Sequence, residues 1–237
     1  ILGDSSLTAY VTNPIVNLTT MILIILSGLG FTVWFDIIAN GKKLIRREMP
    51  RRWWFTRLKL QSKLAIIMTI LLIISGAVFV FLAEYDNPET LGNLSLGNKV
   101  MASFFQSVTN RTAGFATISQ NALHTESKLF HCILMFIGGS PGGTAGGVKT
   151  TTIAMLFLAC LTFVRGGNDT ECMGRKISVE NFRTGFCVVM AAFSVFTVGT
   201  IAILIIEPDT VSLVNVLYET ASAIGTVGLT ADLTPHL

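Results

Sequence analysis

Apolar residues in this chain fall into long blocks and half-length blocks, and the two kinds alternate. Residues 15–38, 62–83 and 184–206 are apolar over the roughly 20 residues that an α-helix needs to cross a bilayer, so each is expected to be a transmembrane helix. Two shorter apolar segments, residues 100–108 and 211–223, are too short to span. Each runs directly into a motif of one pattern: Arg111-Thr112-Ala113-Gly114-Phe115 in the first case, Gly225-Thr226-Val227-Gly228-Leu229 in the second. A further block, residues 128–165, is interrupted at residues 138–147 by Gly-Gly-Ser-Pro-Gly-Gly-Thr-Ala-Gly-Gly. Relative to Ala each helical Gly costs about 1 kcal/mol and each Pro about 3, so this span is expected to break near its middle.

The order of span, acidic turn, half-length helix and Thr-x-Gly-apolar motif occurs twice, which makes it an internal repeat. Residues 21–28 also resemble residues 132–139, so residues 1–39 read as the second transmembrane helix of a preceding repeat. The expected organisation is that helix, a basic loop at 40–61, a complete repeat at 62–165, a second loop at 166–183, and a last repeat at 184–237 ending at its filter motif. On this reading the sequence is a fragment of a longer, four-repeat chain.

Composition fits: 51% of residues are hydrophobic and 13% charged, against roughly 25% charged in soluble domains. The fold class expected is an all-α polytopic membrane protein of repeated helix-pore loop-helix units. Nine of the seventeen basic residues, from Lys42 to Lys63, fall in the first connection, which places it in the cytoplasm by the positive-inside rule. With Trp53 and Trp54 it reads as an interfacial loop facing membrane lipid; a docking surface for a cytosolic partner is the second reading, and nucleic acid is not expected. Arg165, Arg175, Lys176 and Arg183 place the second connection on the same side. Glu84, Asp86 and Glu89, like Glu207, Pro208 and Asp209, then lie outside.

Irregular backbone survives at membrane depth only inside protein or beside a water-filled cavity, so the half-length helices with their Gly motifs suit re-entrant segments; a wholly extracellular loop is the alternative left by composition. Potassium filters replace an ion's hydration shell with backbone carbonyl oxygens, and Gly allows the conformations this requires. Thr112, Ala113, Gly114 and Phe115 with Gly225, Thr226, Val227, Gly228 and Leu229 are therefore the candidate potassium filter, supported by Asn110, Arg111 and Glu219. Arg111 is expected to pair with Glu219.

Gly142 and Gly147 have phosphate-loop spacing, but Val148 stands where Lys must follow and no strand precedes, so nucleotide binding is not expected here. A gate below the filter suits the segment better: Gly138, Gly139, Gly142, Gly143, Thr144, Ala145, Gly146, Gly147 and Lys149. Cys132, Cys160, Cys172 and Cys187 show no CxxC spacing, and His124, His131 and His236 lack metal-ligand spacing to them. No cluster of intramembrane His, Asp or Glu suggests an enzyme.

Three stretches carry a family resemblance: residues 105–115, residues 135–152 with their glycines, and residues 221–229. They resemble the membrane subunit of Ktr-type potassium uptake systems, within the Trk/Ktr/HKT superfamily. The resemblance implies four helix-pore loop-helix repeats around one pore, with Gly114 and Gly228 as the third and fourth filter glycines and residues 138–147 as an intramembrane gating loop. It implies potassium as the transported ion, with sodium as a second candidate and no organic cofactor on this chain. It also implies a homodimer in a bacterial plasma membrane, with ATP or ADP acting on a cytosolic nucleotide-binding partner of the RCK type. A Trk-type potassium/sodium symporter and a polytopic membrane protein without transport function are the alternatives. A tetrameric channel would carry one filter per chain, which two tandem motifs oppose.

Overall fold

The computed structural model describes residues 6–48, 50–166, 171–172, 175–207 and 211–231; Pro208, Asp209 and His236 lie outside them. Helices carry the architecture: α1 (Pro14–Gly28), α2 (Phe31–Ile45), α3 (Trp54–Arg57), α4 (Leu60–Ala83), α5 (Leu96–Thr109), α6 (Thr125–Phe136), α7 (Thr150–Val164), α8 (Val179–Ile206) and α9 (Leu213–Ile224). Two-residue strands β1 (Glu171–Cys172) and β2 (Arg175–Lys176) pair antiparallel between α7 and α8.

α4 and α8, of 24 and 28 residues, are long and apolar enough to cross a membrane. α5 and α9, of 14 and 12 residues, rise only about 21 and 18 Å at 1.5 Å per residue, short of a hydrocarbon core of about 30 Å. Each is buried in protein instead. Phe105 and Val108 of α5 pack with Met21 of α1 and Ile73 of α4, and the Ser107 hydroxyl donates to the Ile73 carbonyl at 2.8 Å. Gly76 of α4 makes room for that contact. Tyr218 and Ala221 of α9 share a core with Cys132 and Met135 of α6. A chain of polar groups joins the two units: Gln106 donates to Gln120 at 2.5 Å, the Tyr218 hydroxyl donates to the same Gln120 oxygen at 2.8 Å, and Lys128 donates to Asn215 at 2.9 Å.

The single helix expected over 15–38 is not formed. The chain turns by 94° between α1 and α2, with Gly30 at φ +80°, and α2 then continues to Ile45, beyond the boundary expected at 39. The cause is non-local. A Cβ at Gly30 would stand 2.5 Å from the Pro141 carbonyl oxygen and 2.9 Å from the Gly143 nitrogen. Ser140 N–H donates to Gly28 O, and Phe31 N–H to Gly142 O, both at 3.0 Å. The break in this helix therefore docks on the break between α6 and α7, and Trp34 braces the corner by donating to Leu26 O at 2.8 Å. The basic connection expected as a loop is also partly helical, with α3 and a 3₁₀ turn at Arg51–Trp53.

On the side of the acidic turns, the carboxylate of Glu84 is fully buried at the end of α4. It accepts from Asn87 at 2.6 Å, from the Thr90 hydroxyl at 2.8 Å and from His124 N–H at 2.9 Å, tying the 84–95 turn to the segment entering α6. Burial alone would raise its pKa; the donors, from Ser127, Thr90, His124 and Asn87, outweigh burial and hold it below the usual value. A carboxyl depressed in the folded state stabilises the fold above its unfolded pKa, and that stability is lost as pH falls through the lower folded pKa. Acid should therefore loosen this junction. Glu84→Gln is expected to flatten the acid limb of a thermal-stability profile, and Glu84→Ala to cost about 1–3 kcal/mol, since it strands buried donors.

Candidate functional site

Both Thr-x-Gly motifs leave their helices in the same way. At the end of α5, Asn110 N–H, Arg111 N–H and Ala113 N–H still donate back to Gln106, Val108 and Thr109. At the end of α9, Gly225, Thr226 and Val227 do so to Ala221, Ala223 and Ser222. The backbone then alternates: Thr112 (φ 68°) and Gly114 (φ 74°) are left-handed with Ala113 between them on the ordinary side, and Thr226 (φ 52°) and Gly228 (φ 86°) repeat this around Val227. In an extended strand successive carbonyls point to opposite sides, whereas alternating handedness turns successive peptide groups to a common side. A left-handed β-branched residue is a true outlier costing of order 1–2 kcal/mol, and its recurrence at matched positions marks strain held by the surroundings.

The two motifs converge. A Cβ on Gly114 would collide with the Val227 carbonyl oxygen and lie 3.3 Å from Gly228. The Thr109 hydroxyl donates to Phe115 O at 2.5 Å, bracing the first motif. Glu219 braces the second, accepting from Ala231 N–H at 2.9 Å and from the Thr230 hydroxyl. That corrects one expectation, because no ion pair joins Glu219 to Arg111 among the described residues. The cause is the short reach from α9 to its own exit strand, which uses the carboxylate locally. Arg111 is buried, and its Nε and Nη2 have no hydrogen-bond partner in the structure, like both side-chain polar atoms of Asn110.

The Gly-rich segment sits against both motifs. Its two ends are pinned side by side: Val148 N–H donates to Phe136 O at 3.0 Å, Thr150 N–H to Gly139 O at 3.1 Å, and the Ser140 and Thr150 hydroxyls are 3.1 Å apart. Within the loop the Lys149 ammonium donates to Ala145 O at 2.6 Å. A Cβ on Gly146 would overlap the Thr226 hydroxyl and lie 2.8 Å from Gly225 O, and one on Gly225 would lie 2.6 Å from Met135 O. On the other side Thr144 and Ala145 share a cavity of about 370 Å³ with Arg111, Thr112 and Ala113, closed by Ser27 and Gly28 of α1. The segment expected at a constriction below the candidate filter thus lies directly against the second Thr-x-Gly motif.

Sequence reasoning missed Ser27 and Gly28, which line this cavity, and Gly30, which packs against Pro141 and Gly143 of the loop. The available signal was the match of residues 21–28 to 132–139, which places Gly28 opposite Gly139. Gln120 and Tyr218 were also missed; buried amide and phenol groups in an apolar setting carry no periodic signature.

Two half-length helices, wrapped in protein and leading into converging strands of alternating handedness, define a helical membrane protein of the pore-loop type. Comparison with known proteins agrees. The profile of the TrkH family, described as cation transport protein, matches residues 2–232, and the chain belongs to that family. It is 35% identical over its whole length to the Ktr system potassium uptake protein B of Bacillus subtilis and 34% identical to the potassium/sodium uptake protein NtpJ of Enterococcus hirae. Its fold superposes on the crystal structure of the potassium transporter TrkH from Vibrio parahaemolyticus with a TM-score of 0.70 at 19% identity, covering 98% of this chain and 48% of that one. The chain spans about half the length of the curated relatives it matches.

Proposed function

We propose that this chain supplies two quarters of a potassium-conducting pore, with Thr112–Gly114 and Thr226–Gly228 as two of its filter strands. The observation that carries this reading is the matched alternation of left-handed residues in two motifs whose backbones meet at Gly114 and Val227. One strand cannot surround an ion, so a polypeptide of the relatives' length, with four such repeats, is the unit that conducts. The carbonyls replace water around a dehydrated cation, and the C-terminal ends of α5 and α9 add negative potential along the path. Residues 138–149 act as the gate: pinned at both ends and resting on Thr226, the loop must leave the filter for ions to pass inward.

The remaining assignments follow the Ktr resemblance: a homodimer in the bacterial plasma membrane, regulated by a cytosolic RCK-type subunit that takes ATP or ADP. A sodium-coupled mode is the second reading, favoured by the 34% identity to a potassium/sodium uptake protein. The test is complementation of a potassium-uptake-deficient bacterium by the full-length gene, with uptake measured at several sodium concentrations. Growth at micromolar potassium is expected. No growth despite normal membrane insertion would overturn potassium transport, and growth that requires sodium would select the second reading.

A further inference from the structure

The cytoplasmic face carries a feature the transport reading does not use. Along α2 the residues Phe31, Phe35, Ile38 and Ile45 are all exposed and form one helical stripe, while Asp36 and Asn40 are buried on the other side. Asp36 accepts from Lys59 N–H at 2.7 Å and from Asn40 at 3.0 Å, which fixes the middle of α2 at the start of α4. α2 leaves α1 at 94° and runs past the start of α4, the end that the basic residues assign to the cytoplasmic side. At its far end Asn40, Lys43, Glu48, Trp53 and Arg57 line a hollow of about 290 Å³, in which the Arg57 guanidinium lies 5.9 Å from the Trp53 ring centre.

We propose that this hollow binds the headgroup of an anionic phospholipid of the cytoplasmic leaflet, with its acyl chains against the Phe31, Phe35 and Ile38 stripe. Two cations against one carboxylate leave one net positive charge, which matches one phosphodiester. Arg57 offers a planar pair of donors for phosphate oxygens, and its stacking on Trp53 holds that fork in place. Glu48 accepts from the hydroxyls of a glycerol headgroup. A basic amphipathic helix with interfacial Trp is the pattern that lies in a membrane surface, and juxtamembrane Lys and Arg draw anionic lipid. The neighbouring Lys42, Arg46 and Arg47 add diffuse attraction outside the hollow.

The test is native mass spectrometry of delipidated full-length protein with added phosphatidylglycerol, or with phosphatidylcholine of the same acyl chains. Preferential retention of phosphatidylglycerol is expected. Lys43→Gln with Arg57→Gln should lower that retention by more than about tenfold, through loss of charge-assisted hydrogen bonds to the phosphate. Lys42→Gln with Arg46→Gln, an equal charge change outside the hollow, should lower it much less. Trp53→Leu, which leaves the charge unchanged, should lower it about threefold through loss of the stacked guanidinium. Phosphatidylcholine retention should stay equal in all forms, which also reports an intact fold. Equal losses in the two double variants would overturn the site in favour of diffuse attraction. Unchanged phosphatidylglycerol retention in the hollow variants would overturn it outright.

Discussion

Gly228→Asp in the full-length protein is expected to abolish selective potassium uptake while leaving the protein in the membrane. Gly228 sits at φ +86°, where a side chain is strained whatever the space, and the new carboxylate would stand beside the carbonyls proposed as ion ligands. Gly114→Ala is the sterically purer companion: its methyl would meet the Val227 carbonyl and push the two strands apart. Separation of the strands should lower the preference for potassium over sodium, and the left-handed strain of about 1–2 kcal/mol should appear as lower thermal stability. Radiolabelled rubidium and sodium uptake into cells measures the preference in both variants. Normal selectivity in Gly228→Asp would remove the filter assignment, since no other role for that glycine predicts a loss confined to ion discrimination.

Gly146→Val is expected to do the opposite to flux. The loop rests on the second motif where only hydrogen fits: a Cβ would overlap the Thr226 hydroxyl and approach Gly225 O to 2.8 Å. The ends of the loop stay pinned by the bonds from Val148 and Thr150, so displacement is confined to the segment over the filter. If that segment closes the path, the variant leaks: basal cation flux of the protein alone should rise by about tenfold or more, with selectivity retained, for a barrier lowered by at least about 1.4 kcal/mol. A passive kink that merely packs helices predicts lower stability and no leak. Flux assays in proteoliposomes, paired with a thermal-stability measurement, separate the two.

How far these sites could be read from sequence differs by the kind of physics involved. The left-handed turns at Gly114 and Gly228 were legible because Gly takes such backbone freely, and the break at residues 138–147 because six glycines and a proline cannot continue a helix. The long spans α4 and α8 and the half-length α5 and α9 follow from apolar block length alone. The turn between α1 and α2 was not legible. Gly28 and Gly30 are only two glycines in an apolar run, and what bends the chain there is contact with Pro141 and Gly143, more than a hundred residues away. The partner of Glu219 was likewise misjudged, because opposite charge suggested Arg111 while the carboxylate is used by the hydroxyl of Thr230 and the N–H of Ala231 next to it in the fold. Local motifs survive translation into sequence; contacts between breaks do not.

If two re-entrant strands of this chain hold a dehydrated potassium ion, a heavier ion of the same kind should be visible between them. Rubidium, whose size and coordination are close to those of potassium, reports this through anomalous diffraction from crystals of the full-length protein. An anomalous peak is expected between the carbonyl oxygens of residues 112–114 and those of residues 226–228, lost in Gly228→Asp. Well-ordered filter strands with no rubidium between them, or rubidium bound only elsewhere in the protein, would contradict it.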